Sequence, residues 1–114
     1  MKKPTQSQSV ERMFPFVLRA RLLLIGREVL ARSKRKLHFV LITQDLSDNS
    51  KEKIIKEFSA YPIVQHYLSQ DLEQHFGVRG AKVLGFAKST LAQSIYAELK
   101  PFRVNSPAAP APKA

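Results

Sequence analysis

The chain has 114 residues, 44% of them hydrophobic, and no cysteine or tryptophan, which suits one small globular domain and leaves no room for a second independent core. Nineteen Lys and Arg against nine Asp and Glu give a net charge of +10, so a polyanion, nucleic acid or an anionic membrane face, is the first class of partner to consider. Without cysteine there is no disulfide framework, no thiolate zinc site and no thiol nucleophile, and the fold must rest on its packing.

Lys2 and Lys3 open the chain, but no apolar run of signal-peptide length follows them. The longest apolar stretch, Leu22–Ile25, is bracketed by Arg21 and Arg27 and falls far short of the roughly 20 residues needed to cross a bilayer. A soluble, cytoplasmic protein is expected. Residues 1–9 read as a disordered tail, and so does the Pro/Ala-rich stretch 105–114, which cannot bury enough surface to offset the entropy of ordering. The domain is then 10–104. Charge is skewed within the chain: residues 1–40 hold ten basic and two acidic residues, a net +8, whereas 41–114 hold nine and seven, a net +2. A polyanion-binding surface should therefore be built mainly by the N-terminal third.

The first expected element is a helix over Phe14–Arg21, with Pro15 in its first turn. Leu22–Ile25 either prolongs it or forms a short edge strand, and Gly26 breaks whichever it is. Arg27–Lys34 can form a second helix with Val29 and Leu30 inward, leading through Arg35 and Lys36 into Leu37–Thr43. That run of β-branched, aromatic and aliphatic residues is the signature of a strand covered on both faces. Asn49 can cap the next helix, with Glu52 completing a capping box and Ile54, Ile55 and Phe58 as its buried stripe. Tyr61-Pro62 ends it and opens a second strand, Ile63–Tyr67. Ser69 can cap a short helix over Gln70–Phe76, stopped by Gly77. After the turn Val78-Arg79-Gly80 comes a third strand, Lys82–Ala87. The last helix is capped by Ser89 or Thr90, carries Leu91, Ile95 and Leu99 inward, and is stopped by Pro101.

Strands alternating with helices imply an α/β fold, a three-layer α/β/α sandwich around a central, mostly parallel or mixed sheet of three to four strands. Nothing in the pattern suggests catalysis. His38, His66 and His75 lack the His-x-x-x-His spacing that would chelate a metal, and Asp45, Ser47 and Asp48 are explained by turn formation and capping. The Gly-x-x-x-x-Gly-Lys and Gly-x-Gly-x-x-Gly phosphate loops are absent. No enzyme activity, cofactor, metal or small-molecule substrate is expected.

Two segments suit RNA. The helix start at Gly26, Arg27 and Glu28 offers free N–H groups to a phosphate, with Arg21, Arg32, Lys34, Arg35 and Lys36 around it. In the turn Gly77-Val78-Arg79-Gly80, Val78 can pack on an exposed base while Arg79 meets phosphate or stacks. The same four residues match the Gly-x-x-Gly of a KH domain, but there a helix follows the loop and here a strand does, which excludes it. Read as structure alone, the basic run is a solvated face and the glycine turn a helix stop.

The stretches Leu24-Ile25-Gly26-Arg27-Glu28-Val29-Leu30, Lys36 to Ser47, Ser69 to Gly77 and Lys82 to Ala87 resemble the kink-turn-binding superfamily of ribosomal proteins, the L-seven-Ae and L-thirty-e type, over about residues 13–100. The likeness suggests a small bacterial paralogue. It implies an RNA-binding, ribosome-associated protein whose partner is structured, kink-turn-like RNA such as ribosomal RNA, with ribosomal or other proteins as further partners. In that family a Gly-x-Asn-Glu-x-x-Lys motif opens the second helix; here Glu28 matches, Gly26 stands one residue nearer than the motif's glycine, Arg27 stands at the Asn position and Ala31 at the Lys position, with Arg32 beside it. The resemblance implies an RNA site made of Gly26, Arg27, Glu28, Arg32, Lys34, Arg35 and Lys36 together with Val78, Arg79 and Gly80. The same fold serves Gadd-type proteins, which makes a protein-interaction module using the helix from Asn49 to Tyr61 the alternative. Peripheral membrane binding would need exposed apolar residues such as Phe14 and Phe16, which are more simply core residues of the first helix.

Overall fold

The computed structural model describes residues 10–105; the tail expected over 1–9, and all but Asn105 of the one expected over 105–114, lie outside them. In chain order the elements are α1 (Phe14–Arg19), β1 (Leu23–Ile25), α2 (Arg27–Arg32), β2 (Leu37–Ile42), α3 (Asp48–Glu57), β3 (Ile63–Gln65), α4 (Ser69–Phe76), β4 (Val83–Ala87) and α5 (Thr90–Leu99), with 3-10 turns at Lys34–Lys36 and Lys100–Phe102. The four strands form one sheet in the order β1-β4-β2-β3. β2 and β3 run parallel, and β4 lies antiparallel between β1 and β2. The sheet is therefore mixed.

β2 is buried on both faces over Phe39–Ile42, as that apolar run requires. Phe39 and Leu41 face one cluster with Phe14, Val17, Leu72, Phe76, Ile95 and Leu99, from α1, α4 and α5. Val40 and Ile42 face the other with Leu30, Ile54 and Phe58, from α2 and α3. Helices on both faces complete a three-layer α/β/α sandwich. Phe39 and its cross-strand partner Phe86 stack at 4.6 Å in the first cluster. A register shift between Leu37 and Phe39 breaks the alternation, so Leu37 joins the second cluster, over Gly85.

Leu22–Ile25 is not a continuation of α1. Arg21 adopts a left-handed conformation (φ 57°), its N–H bonding Leu18 O while Leu22 N–H bonds Val17 O, the paired closure that ends a helix and redirects the chain. Phe14 is buried, but Phe16, expected in the core, is 54% exposed, with the Arg19 guanidinium 5.8 Å from its ring centroid. Helix starts also fall where side-chain geometry, not residue type alone, dictates. Ser47 caps α3, accepting from Ser50 N–H at 3.2 Å, because Asp48 and Asn49 are already helical. At α4 the Asp71 carboxylate accepts the Leu68 N–H at 2.8 Å, and Ser69, the first helical residue, donates its hydroxyl to Asp45 at 2.7 Å. Gly77 stops α4 in the left-handed region and Ser89 caps α5. Asn105, read as tail from composition, is anchored: its side chain accepts from Ile63 N–H and donates to Tyr61 O, both at 2.8 Å. Together with the Val64–Arg103 bridge this covers the open edge of β3.

Candidate nucleic-acid interface

The strand directions fix where each expected RNA residue lies. β1 and β2 end at the same edge of the sheet, the edge at which β4 begins. At that edge Gly26 N–H donates to Val83 O at 3.0 Å and Thr43 N–H to Lys82 O at 3.0 Å. The Gly26 turn and the 77–82 loop, 51 or more residues apart in sequence, thus meet through backbone contacts. Gly26 has φ 96° and ψ 146°, a combination open essentially to glycine, and its amide end is not capped by a side chain.

Gly26, Arg27, Glu28, Val78, Arg79 and Gly80 belong to this edge, but their chemistry differs from the expectation. Arg27 turns its guanidinium to Glu57 at the end of α3, Nε to Oε1 at 2.8 Å, so its charge is compensated. Arg79 lies 3.6 Å from Glu73, both exposed. Glu28 occupies the first turn of α2, the position an anion would otherwise favour, and α2 is only six residues long, so its amide end adds little attraction for phosphate. Val78 packs partly against the α1/α4/α5 cluster with Ala81. The exposed apolar side chain here is instead Ile25, 42% exposed, on the same sheet face as its cross-strand partner Leu84 and therefore on the Val78 side. The turn before Gly26 holds that signal in sequence, since a short edge strand need not bury its last residue. Lys82, exposed beside Thr43, is the other residue the sequence reading did not assign to the site.

Lys34, Arg35 and Lys36 are not part of this edge. α2 and the following 3-10 turn carry the chain back along the sheet, so these residues lie at the start of β2, where Lys88 N–H bonds Lys36 O at 2.6 Å. Five residues of extended chain, from Val83 to Lys88, separate the two edges, roughly 17 Å. Arg32, the last residue of α2, leads into the same turn. Lys34 is used structurally: its Nζ donates to Glu57 O at 3.3 Å and sits 5.2 Å from the Phe58 ring centroid, and its own carbonyl accepts from Tyr61 Oη at 2.8 Å. The single cationic cradle expected from sequence is thus two surfaces at opposite edges of one sheet.

His38 and His66 are both held below the ordinary histidine value of 6.5, each mainly by burial. At His38 the neighbouring Lys88 charge adds to the effect, whereas at His66 Glu11 and Asp71 oppose it. His66 stacks on Phe102 with centroids 3.9 Å apart. Among the described residues no group of three or more His, Cys, Asp or Glu could hold a metal ion, and no helix is long and apolar enough to cross a membrane.

No family model matches the chain, and no curated protein matches it in sequence. Among solved structures it is similar to a protein with unknown function from Bacillus halodurans C, at 19% identity and a TM-score of 0.72, covering 80% of this chain and 96% of that one. At that identity the likeness concerns the fold.

Proposed function

We propose that this chain is an RNA-binding protein of the kink-turn-binding type, which receives a structured, sharply bent RNA such as a ribosomal RNA element against the Gly26 turn and the 77–82 loop. The observation that carries the reading is the Gly26 N–H to Val83 O hydrogen bond, which makes one surface of two segments remote in sequence. Gly26 presents bare backbone there, Ile25 an apolar side chain that a splayed base can cover, and Arg79 and Lys82 exposed cations. With Arg27 and Arg79 near carboxylates, recognition at this edge rests on shape and base contact more than on charge. The net charge of +10 supports a polyanionic partner.

The protein-interaction alternative gains nothing from α3. Its outward residues Asn49, Glu52, Lys53 and Lys56 are exposed and polar, while Ile54 and Phe58 are buried, so that helix offers no apolar docking face.

The test is a binding titration with a labelled RNA containing a kinked internal loop and with an unkinked duplex of equal length. The wild type is expected to prefer the kinked RNA, and Ile25→Asp/Lys82→Ala to lose most of that preference. Equal binding of both RNAs by the wild type would end this reading.

A further inference from the structure

The basic turn that sequence reasoning assigned to the RNA site lies at the far edge of the sheet, so its charge needs another account. Lys36 and Lys88 are brought together by the 2.6 Å Lys88 N–H to Lys36 O bond. Arg35, Lys36 and Lys88 are exposed, Arg32 is exposed at the adjoining end of α2, and among the described residues none of the four makes an ion pair. Glu57, at the end of α3, is taken by Arg27. α5, which starts beside Lys88, has no acidic residue in its first turn. The Lys88 charge adds to burial in holding His38 below its ordinary value, which places Lys88 close to the start of β2.

A merely solvated face would intersperse charges of both signs. Here exposed cations of two chain segments, joined by the Lys88–Lys36 backbone bond, make no ion pair among the described residues, whereas at the Gly26 edge Arg27 pairs with Glu57 and Arg79 with Glu73. None of the exposed large apolar side chains, Phe16, Leu18, Ile25, Leu68, Phe102 and Val104, belongs to the 34–36 or 88–90 segments that carry the cations. A cationic surface with exposed Arg forks fits phosphate oxygens.

We propose that Arg32, Arg35, Lys36 and Lys88 form a second contact for the RNA, a grip on its phosphate backbone roughly 17 Å from the Gly26 edge along the α2 side of the sheet. The inference rests on the RNA reading above and adds to it the extent of the partner. The RNA must carry a stem that continues past its bend along α2, and the corner holds that stem without reading its sequence. Affinity then comes mainly from the corner, and selectivity from the Gly26 edge.

The experiment compares two labelled RNAs sharing one kinked loop, one with short flanking stems and one with a stem lengthened by about ten base pairs, titrated at several salt concentrations against the full chain. The extended RNA should bind the wild type of order tenfold more tightly at 0.1 M salt. Arg35→Ala/Lys36→Ala/Lys88→Ala should abolish that gain and reduce the log-log salt slope by about 2 to 3, at 0.7 to 0.9 per phosphate contact, leaving the short RNA's preference over a duplex intact. All three side chains are exposed, so the variant should keep the wild-type thermal midpoint; Arg35→Lys/Lys36→Arg/Lys88→Arg, which preserves charge, should retain the gain. If the extended RNA binds the wild type and the triple alanine variant alike, the corner is not a phosphate grip, while the Gly26 reading stands. If neither RNA binds the wild type, both fall. If the triple variant instead loses binding to vesicles containing anionic lipid while RNA binding is unchanged, the corner serves a membrane and the proposal is overturned.

Discussion

The two edges of the sheet carry similar numbers of cations and differ in what surrounds them. At the Gly26 edge, backbone freedom, an exposed Ile25 and a glycine-bounded loop come together, but Arg27 and Arg79 are paired with Glu57 and Glu73. At the Lys36–Lys88 edge Arg32, Arg35, Lys36 and Lys88 are exposed and make no ion pair among the described residues. Shape is concentrated at one end and free charge at the other. For a protein that holds a polyanion this separates the two components of recognition, because phosphate contacts supply affinity and register while selectivity depends on contacts to bases and on shape.

The sharpest way to break this comparison is charge reversal. Arg35→Glu/Lys36→Glu/Lys88→Glu should reduce affinity for a kinked RNA on the order of a hundredfold or more at 0.1 M salt, and flatten its salt dependence. Arg79→Glu/Lys82→Glu should cost less affinity but more of the preference for the kink. A larger affinity loss from the second variant would invert the assignment of the two edges.

Backbone changes should separate the edges through stability. Gly26→Ala forces an L residue into φ 96°, ψ 146°, with open space where the new Cβ would lie, so the cost is backbone strain of about 1–3 kcal/mol. Urea unfolding measures it, and the variant should also lose preference for kinked RNA as the turn shifts away from Val83. Gly85→Ala acts between the edges: its Cβ would come within 2.7 Å of Leu37 Cδ1 and 3.0 Å of Leu30 Cγ, an overpacking cost of about 1–3 kcal/mol. Gly85→Ala should weaken stability while leaving the ratio of kinked to duplex binding unchanged. If both variants behave alike in the binding assay, Gly26 has no role beyond folding.

How much of this was legible in the sequence depends on which residues carry the signal. The β2 strand was, because Phe39–Ile42 is apolar without interruption, and so was the stop at Gly77, because a left-handed residue closes α4 there. Helix starts were less so: Ser47 and Asn49 both suit a cap, and the choice depends on where α3 docks on the sheet. That the expected site residues lie at two edges has a topological reason. Lys34–Lys36 is adjacent to Gly26 in sequence, but a helix and a turn between them span the sheet, so adjacency in the chain becomes opposition in space. Conversely Lys88 had no local signal at all; it joins Lys36 only because β4 runs antiparallel to β2. The pairing of Arg27 with Glu57, 30 residues apart, was equally invisible.

His38 reports on the charged edge. Its folded pKa lies below 6.5, so it stabilises the fold fully above that pH and the contribution is lost as pH falls from about 6.5 toward the folded value. His66 behaves with the same sign. Thermal midpoints should accordingly drop on acidification from pH 7 to 5. Because Lys88 adds to the depression at His38, Lys88→Gln should raise the His38 pKa followed by NMR titration and leave that of His66 in place. Bound RNA should shift His38 in the same direction by screening Lys88, and no shift on binding would place the phosphates elsewhere.

The smallest effect tests whether Arg27 is a structural or an RNA-facing cation. Its ion pair with Glu57 is half exposed on the arginine side, so Arg27→Ala should cost no more than about 1 kcal/mol in urea unfolding. Since that charge is already compensated, the variant should change the salt slope of RNA binding by clearly less than the 0.7 to 0.9 expected of one lost phosphate contact. Glu57→Gln gives the opposite sign: it leaves Lys34 bonded to the Glu57 backbone carbonyl, which the substitution retains, and frees the Arg27 guanidinium, so RNA affinity should rise slightly and the slope steepen. The two edges would then be joined by a continuous run of cations along α2, and the gap that now separates shape from charge would close. A loss of affinity in Glu57→Gln would mean instead that Arg27 must be held by Glu57 to keep α2, and with it the Gly26 turn, in its working position.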